Sequence, residues 1–295
     1  MTDKSKTGGQ GGGVGERIGL PDRSPSMSPL DSLEFEPDST YTLLSARRSG
    51  KTFFIRNLVR ELLERKLIDV VYLFSHTAQY DSGYDWIDRR CILPADRMDD
   101  IIKLMWRVQE AKAKKLSAEE KKDKLPHICF ILDDWDLEQS NEGLNMLYIR
   151  GRHLNFTTII SAQITTRGVS PFIRGNTRYL FIRLLNASNI VKDVYGMILN
   201  SDFASSTQFL DFVKANRKDY KFILYDTTEE DPSQTVKVVK AEEVEFQYKL
   251  KCKPPTIPPK GDIEGRRLKP PSYASPLTPC HNPKRQKGTI INYMH

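Results

Sequence analysis

Short apolar runs, some without any polar position, constrain the fold of this chain more than any other sequence feature. Residues Ile128–Leu132 read Ile-Cys-Phe-Ile-Leu. A strand with one face in water alternates apolar and polar residues, whereas a strand covered by helices on both faces does not. Such β-rich runs predict strands at Tyr41–Leu44, Val70–Phe74, Ile128–Leu132, Thr158–Ala162, Tyr179–Leu185 and Phe222–Tyr225, with a last candidate at Val236–Val239.

Longer amphipathic segments lie between these runs. Their apolar spacing predicts helices at Thr52–Arg65, Arg97–Lys114, Leu137–Arg150, Ser188–Asn200 and Ser205–Lys218. The charges of Ala111–Lys124 nearly cancel, which is typical of an exposed helix or hairpin. Strands that alternate with helices predict an α/β fold with a mainly parallel sheet flanked by helices.

The two ends of the chain differ in composition from its middle. Residues 1–36 are rich in glycine and contain little that could be buried, which predicts a flexible leader. Residues 249–295 combine repeated prolines with ten basic and two acidic side chains, which predicts a flexible basic tail of local charge +8. The ordered domain is therefore expected at residues 37–248.

Composition also excludes several classes of protein. No apolar run approaches the roughly 20 residues that span a bilayer, and the first residues lack the apolar core of a secretory signal. We therefore expect a soluble protein of a cytosol-like compartment without a membrane span. Four cysteines, at positions 91, 129, 252 and 280, are too few and too scattered to indicate a disulfide framework or a zinc site.

A phosphate-binding loop follows the first predicted strand and precedes a helix. It consists of Ser45, Ala46, Arg47, Arg48, Ser49, Gly50, Lys51 and Thr52. In the pattern GxxxxGK[ST], backbone N–H groups surround the β-phosphate, the lysine neutralises the β- and γ-phosphates, and the hydroxyl of the last residue binds Mg²⁺. Lys51 and Thr52 take these roles, and a side chain at Gly50 is expected to block the approach of backbone to phosphate. Ser45 replaces the first glycine, and the two arginines contact either phosphate or a neighbouring subunit.

Polar side chains end two further predicted strands. Asp133 and Asp134 directly follow Ile128–Leu132, and ligands of open α/β sheets bind where strands end. We assign Asp133 to the magnesium shell and Asp134 to the polarisation of the attacking water. Gln163 ends the next strand along the chain, where it is placed to sense the γ-phosphate or to orient water.

The segments SARRSGKT, ILDDW, RHLNFTTIISAQ and PFIRGN together resemble the poxvirus-type genome-packaging ATPases within the FtsK/HerA superfamily. The resemblance covers about residues 40–185. It implies a P-loop NTPase core that assembles into a ring of five or six subunits and hydrolyses ATP at the subunit interfaces. It also implies an arginine that reaches a neighbour's nucleotide, for which Arg152 is the first choice and Arg150 the second. Two departures from the wider superfamily are Ser45 and an aspartate, Asp134, where many relatives have glutamate.

Residues 143–192 contain seven basic side chains and no carboxylate. Such a stretch suits either the ATP of the next subunit or the phosphate backbone of DNA. About half of the seven are expected to be structural instead, through stacking on the sheet edge or pairing with aspartates.

The resemblance predicts a motor that uses ATP and Mg²⁺ to thread duplex viral DNA through a ring into a preformed capsid. Its expected partners are double-stranded DNA, capsid or portal and vertex proteins, and further copies of the chain. The expected location is the host cytoplasm at the viral assembly site, with the virion as a second place. Two alternatives stay open at this point: an ATP-binding assembly or scaffold factor without translocation, and a cellular type of DNA translocase. The basic tail is consistent with a DNA-tracking arm, a capsid-docking peptide, a nuclear-targeting signal or a solubilising segment.

Overall fold

The structure is a computed structural model that describes residues 27–46, 48–78, 82–135, 141–163, 170–183, 188–196, 202–231, 234–242, 250 and 252. The strands are β1 Met27–Pro29, β2 Thr40–Ser45, β3 Val70–Phe74, β4 Ile92–Leu93, β5 Ile128–Leu132, β6 Phe156–Gln163, β7 Tyr179–Arg183, β8 Lys221–Asp226 and β9 Val236–Lys240. The helices are α1 Lys51–Glu64, α2 Met98–Ala113, α3 Ala118–Lys124, α4 Glu142–Arg150, α5 Pro171–Asn176, α6 Ser188–Val194 and α7 Ser206–Ala215.

In these residues the strands form one sheet in the order β1-β9-β8-β7-β2-β6-β5-β3-β4. The six strands from β7 to β4 run parallel, while β8 pairs antiparallel with both β7 and β9. The predicted α/β class with a mainly parallel sheet is therefore confirmed. Antiparallel pairing of β8 and β9 extends the parallel sheet on one side.

The central strands are buried along their whole length. All residues of β2, β3, β5 and β7 are buried, which requires cover on both faces of the sheet. Helix α1 supplies part of this cover through a single apolar face. Phe54 of this helix packs against the sheet, and its ring centroid lies 4.8 Å from that of Phe181 in β7 and 4.1 Å from that of Phe222 in β8. The P-loop helix is thereby fixed against β7 and β8.

Most predicted elements agree with the structure, and the differences concern short or terminal segments. Helix α4 begins only at Glu142, after its N-cap Asn141, whereas the prediction began at Leu137; residues 136–140 lie outside the described residues. Segment Ala111–Lys124 contains the end of α2 and the separate helix α3, which Ser117 and Glu120 cap reciprocally. Strands β1 and β4 and helix α5 were not predicted, because two to six residues carry too little periodicity.

The described fold begins ten residues before the expected boundary at 37. Strand β1 pairs with β9, and Leu30, Leu33 and Phe35 are buried. The Phe35 ring packs edge-on against Tyr41 and Tyr179, with centroid distances of 5.8 and 5.3 Å. This packing was not visible in the sequence because single apolar residues among polar neighbours show no period.

The described fold also continues beyond the expected boundary at 248. Leu250 donates its N–H to the carbonyl of Trp86 at 2.7 Å and accepts the N–H of Asp88 at 2.9 Å. Cys252 is buried and forms a disulfide bond with Cys91. The two cysteines are 161 positions apart, so only the tertiary fold reveals the pair. The buried thiol of Cys129 is free.

Among the described residues, no helix is both long enough and apolar enough to cross a membrane.

The disulfide predicts a stability effect. Replacing Cys252 by serine should lower the free energy of unfolding by about 2–5 kcal/mol, because the bond closes a very long loop in the unfolded chain. Thermal unfolding with and without reductant measures this effect. Reductant should lower the unfolding midpoint of the wild type and leave that of the double variant Cys91→Ser, Cys252→Ser unchanged. Equal midpoints for oxidised and reduced wild type would contradict a structural role for the bond.

Candidate active site

The P-loop connects the end of β2 to the start of α1. Ser45, the last residue of β2, is paired with Gln163 of β6 on one side and with Arg183 of β7 on the other. Ala46 donates its N–H to the carbonyl of Arg183 at 3.3 Å. Gly50 is the N-cap of α1. Arg47 lies outside the described residues, and Arg48 is exposed with a positive φ of 56°.

Ser45 belongs to the sheet rather than to the turn that the prediction assigned to it. Its side chain is fully buried between the two neighbouring strands. A serine fits this position because the strand geometry requires no positive φ. The departure from the glycine of the motif therefore leaves the turn at Gly50 unchanged.

Gly50 is required for two reasons that the sequence did not show. Its φ is +88°, in the left-handed region that side chains disfavour. A Cβ atom added there would also lie 2.7 Å from Cδ1 of Tyr220. The glycine thus permits both the turn into α1 and the close packing of Tyr220 on the loop.

The two predicted carboxylates follow the end of β5 and are fixed by β3 and β6. Asp133 donates its N–H to the carbonyl of Phe74 at 2.9 Å. The Ser161 hydroxyl donates to Oδ1 of Asp133 at 2.5 Å and accepts the N–H of Asp134 at 3.3 Å. Asp134 itself has a positive φ of 51°. The turn therefore points the two neighbouring carboxylates into different surroundings.

Asp134 brings together two of the predicted catalytic residues. Lys51 Nζ forms an ion pair with Oδ1 of Asp134, and Gln163 Nε2 donates to the same oxygen at 3.4 Å. The Asp134 side chain is 41% exposed, whereas that of Lys51 is 10% exposed. Residues that lie up to 112 positions apart in the sequence thus meet at the end of the parallel strands.

Asp133 is buried, and its burial raises the pKa of its carboxyl. The hydrogen bond from Ser161 opposes this shift, and the charge of Asp134 adds to it. Within the described residues Asp133 forms no ion pair of its own. A cation held beside this carboxylate would offset the cost of its buried charge.

Tyr84 is a further residue of this site. It is fully buried, and its hydroxyl lies beside both Asp133 and Thr52. Burial raises its pKa well above the usual value, so the phenol keeps its proton. Among the described residues, its oxygen has no partner that satisfies normal hydrogen-bond geometry. An oxygen ligand or metal-bound water between Thr52 and Asp133 would supply one.

The residues around the P-loop line a cavity of about 1140 Å³. Asp134 follows β5 and Gln163 ends β6 on one side of β2, whereas Tyr220 and residues 240–242 lie beside β8 and β9 on the other side. The described lining of the cavity is Arg48, Ser49, Gly50, Lys51, Thr52, Phe53, Asp134, Gln163, Asp219, Tyr220, Lys240, Ala241 and Glu242. The cavity therefore joins the P-loop to the residues predicted to act on water.

The structure does not bring Arg150 and Arg152 into this cavity. Both side chains are exposed. They lie at the end of α4 and in the turn that precedes β6, and therefore at the edge of the sheet where the parallel strands begin. The P-loop lies at the edge where these strands end, so neither arginine acts on the nucleotide of its own subunit.

Two basic residues of the acid-free stretch 143–192 are structural. Arg178 forms an ion pair with Glu36, and its guanidinium lies 5.0 Å from the ring centroid of Tyr179. Arg183 is buried, with its guanidinium 5.0 Å from the ring of Tyr220. Arg150, Arg152 and Lys192 are exposed, and Arg167 lies outside the described residues.

Sequence reasoning missed Ser161, Tyr84 and Tyr220. Ser161 precedes Gln163 by two positions, so the strand period of two gave a signal that both face the same side. Tyr84 and Tyr220 lie in turns, where no period relates them to the P-loop.

Comparisons with known proteins identify a family and similar folds. The family model described as poxvirus A32 protein matches residues 34–252. The comparison with curated proteins finds no match. Among solved structures, B204, the DNA-packaging ATPase from Sulfolobus turreted icosahedral virus, is 18% identical with a TM-score of 0.50, covering 71% of this chain and 100% of that one. The genome packaging NTPase B204 from Sulfolobus turreted icosahedral virus 2 with AMPPCP is 19% identical with a TM-score of 0.49, covering 70% and 100%.

At 18% identity, the likeness to the first B204 structure shows a similar fold. The family match extends over most of the chain, and its range includes the P-loop, both aspartates and Gln163. The chain therefore belongs to the poxvirus A32 protein family of genome-packaging ATPases.

Proposed function

We propose that this packaging ATPase hydrolyses ATP in the cavity between the P-loop and the ends of β5 and β6, and uses the energy to move duplex viral DNA into a preformed capsid. The observation that carries the proposal is the convergence of Lys51, Asp134 and Gln163 on one cavity. A phosphate-binding loop, a carboxylate and a polar amide at one place are the parts that P-loop hydrolysis of ATP requires.

The ion pair between Lys51 and Asp134 would change when the nucleotide binds. The β- and γ-phosphates attract Lys51 more strongly than one carboxylate does, because they carry more charge and the α1 N-terminus adds its dipole. Lys51 would then leave Asp134, whose carboxylate becomes available to the attacking water. Nucleotide binding and the supply of a general base are thus coupled through one ion pair.

Asp134 and Gln163 share the work on water in this proposal. Asp134 accepts a proton from the attacking water, and its partial exposure lets water reach it. Gln163 reaches the same carboxylate oxygen through its amide, so it holds Asp134 and the water in a common orientation. Both side chains come from strands or turns that the sheet holds rigid, so little reorganisation is needed at the moment of reaction.

The residues at the start of α1 and the end of β5 fit Mg²⁺. The Thr52 hydroxyl and the Asp133 carboxylate offer the oxygen ligands that Mg²⁺ prefers. The burial of the Asp133 carboxylate and the position of the Tyr84 hydroxyl beside both Thr52 and Asp133 support this assignment. Mg²⁺ supplies the positive charge that offsets the phosphates during the transfer. Ser161 orients Asp133 for this contact.

The alternative of an ATP-binding scaffold factor is not favoured. The sequence feature that would favour it is Ser45, because this residue departs from the phosphate-binding motif. Ser45 lies in β2, before the turn at Gly50. The family match likewise favours packaging of viral DNA over a cellular translocase.

Assembly, DNA contact and location complete the proposal. Subunits form a ring of five or six, with Arg152, or else Arg150, directed at the nucleotide of a neighbour. Duplex DNA passes through the centre, and the basic tail that follows Cys252 adds non-specific attraction to its phosphates. Capsid or vertex proteins receive the ring at the cytoplasmic assembly site and in the virion.

The ATPase domain, predicted at 37–248, also takes in residues 27–36, Leu250 and Cys252.

Hydrolysis with and without duplex DNA tests the proposed function. In wild-type protein DNA should stimulate phosphate release. Asp134→Asn should lower kcat by about 10²- to 10⁴-fold, because the base that accepts the proton is lost. Its affinity for ATP should be retained, since Lys51 no longer has a competing partner.

Asp211→Asn is the matched control, because Asp211 pairs with Lys214 on the exposed face of α7 and does not line the cavity. It should hydrolyse ATP at the wild-type rate. Wild-type protein that binds ATP but does not hydrolyse it in the presence of DNA would favour the scaffold alternative.

The Mg²⁺ assignment predicts opposite effects of Asp133→Asn on stability and on ligand response. The raised pKa shows that the charged form is costly in the fold at neutral pH, so the neutral amide should leave the thermal midpoint of the free protein unchanged or higher. The extra stabilisation that Mg²⁺ adds to ATP-bound wild type should be lost. A thermal-shift series with ATP and increasing Mg²⁺ measures both, and an unaltered Mg²⁺ response in the variant would contradict the assignment.

If an arginine of one subunit acts on the nucleotide of its neighbour, two different inactive variants should restore activity when they are mixed. Lys51→Ala should lack hydrolysis because it cannot bind phosphate productively, and Arg152→Ala because it supplies no arginine to its neighbour. A mixture of the two should regain activity, since the P-loop of one variant meets the intact arginine of the other. The same mixture made with Arg150→Ala identifies which of the two arginines acts. Two inactive variants that stay inactive when mixed, although they assemble together, would contradict a trans role.

A further inference from the structure

The proposed function, on which this inference rests, implies in which direction ATP lies in the cavity. Asp134 and Gln163 mark the end where the γ-phosphate reacts. The phosphate chain runs along the P-loop, so the sugar and base of ATP extend toward the opposite end. That end is lined by Tyr220 and by residues 240–242, beside the ends of β7 and β9. Of the predicted site residues, Gly50 contacts Tyr220 there.

Tyr220 is an exposed aromatic residue held in an unusual place. Its side chain is 53% exposed, although its ring packs on Gly50 and lies 5.5 Å from the ring of Phe53. Its φ of 52° follows a φ of 59° at Asp219, so two consecutive residues adopt the left-handed region. A bulky residue in this region is an outlier, and such strain is concentrated at functional sites. The turn before β8 thus holds an aromatic ring at the mouth of the cavity.

The guanidinium of Arg183 contacts the Tyr220 ring. Its guanidinium carbon lies 5.0 Å from the centroid of Tyr220 and 5.6 Å from that of Phe222. The Arg183 side chain is buried, and within the described residues its Nε and Nη1 have no hydrogen-bond partner. Its Nη2 donates to the carbonyl of Arg217 at 3.4 Å, and its contacts with the two rings help to fix the orientation of Tyr220. Although Arg183, Gly50 and Phe53 all contact this ring, 53% of the Tyr220 side chain remains exposed, and it lines the cavity.

We propose that Tyr220 is the platform on which the base of bound ATP stacks. The ring is about half exposed and lines the cavity on the side of β2 away from Asp134 and Gln163. Its backbone and Arg183 hold it in place before a nucleotide binds. Every nucleobase has a face that stacks on an aromatic ring, so this contact adds affinity for the base without reading its edge. The platform also links the base to Gly50, and therefore to the turn that binds phosphate.

Calorimetric titration of the full-length protein with two probes tests the proposal. Mg²⁺–ATP carries the base, and inorganic triphosphate with Mg²⁺ carries the same phosphate chain without it. Tyr220→Ala should weaken ATP binding roughly 5- to 100-fold, the range expected for one base stacked on an aromatic ring. It should leave the affinity for triphosphate unchanged. Tyr220→Phe should bind both probes like the wild type, since the ring is kept.

Met27→Ala is the matched control, because Met27 is 59% exposed and lies in β1 at the edge of the sheet. It should leave both affinities unchanged. Equal losses of ATP and triphosphate affinity in Tyr220→Ala, at a wild-type unfolding midpoint, would show that the ring only shapes the P-loop and would overturn the proposal. Unchanged ATP affinity in that variant would also overturn it. Failure of the wild type to bind either probe would instead overturn the nucleotide site itself.

Discussion

The parallel register of β2, β6 and β5 is the constraint on which the rest of the site depends. Hydrogen bonding pairs Ser45 with Gln163, so β2 and β6 end level with each other, and it pairs Leu132 with Ile160, so β5 ends three residues earlier. This offset sets Asp133 beside Ser161. The P-loop, the two aspartates and the glutamine follow from those ends and meet without long connecting loops. A shift of one residue in either pairing would turn Gln163 to the opposite face of β6 and away from Asp134. The buried side chains of these strands fix the register. The geometry of the site therefore depends on the packing of the core.

Two neighbouring carboxylates acquire different chemistry from their surroundings. Asp133 is enclosed by β3, β6 and Tyr84, which makes its charge costly and favours a cation beside it. Asp134 turns outward through a positive φ and contacts Lys51 and Gln163 in a partly open cavity. In the proposed mechanism the same residue type therefore serves as a ligand in one position and as a base in the next, because the surroundings of each carboxylate determine its role.

Sequence patterns were sufficient for the parts of the fold that repeat with a period. The runs at Val70–Phe74 and Ile128–Leu132 coincide with β3 and β5, and the P-loop was found because its residues are contiguous. Contacts between distant single residues could not be found in this way. Cys252 meets Cys91 across 161 positions, and Tyr220 meets Gly50 across a comparable distance. Such contacts depend on where turns place a side chain, and a turn has no period to read.

The fold shows which basic residues of the acid-free stretch 143–192 contribute to an exposed positive surface. Arg178 is neutralised by Glu36, and Arg183 is buried between two rings, so neither adds to an exposed positive surface. Arg150 and Arg152 do, and they lie where the parallel strands begin, opposite the edge that carries the P-loop. The proposed trans role of these arginines therefore requires a neighbouring subunit whose P-loop meets the edge that carries them, because a single subunit keeps the two edges apart.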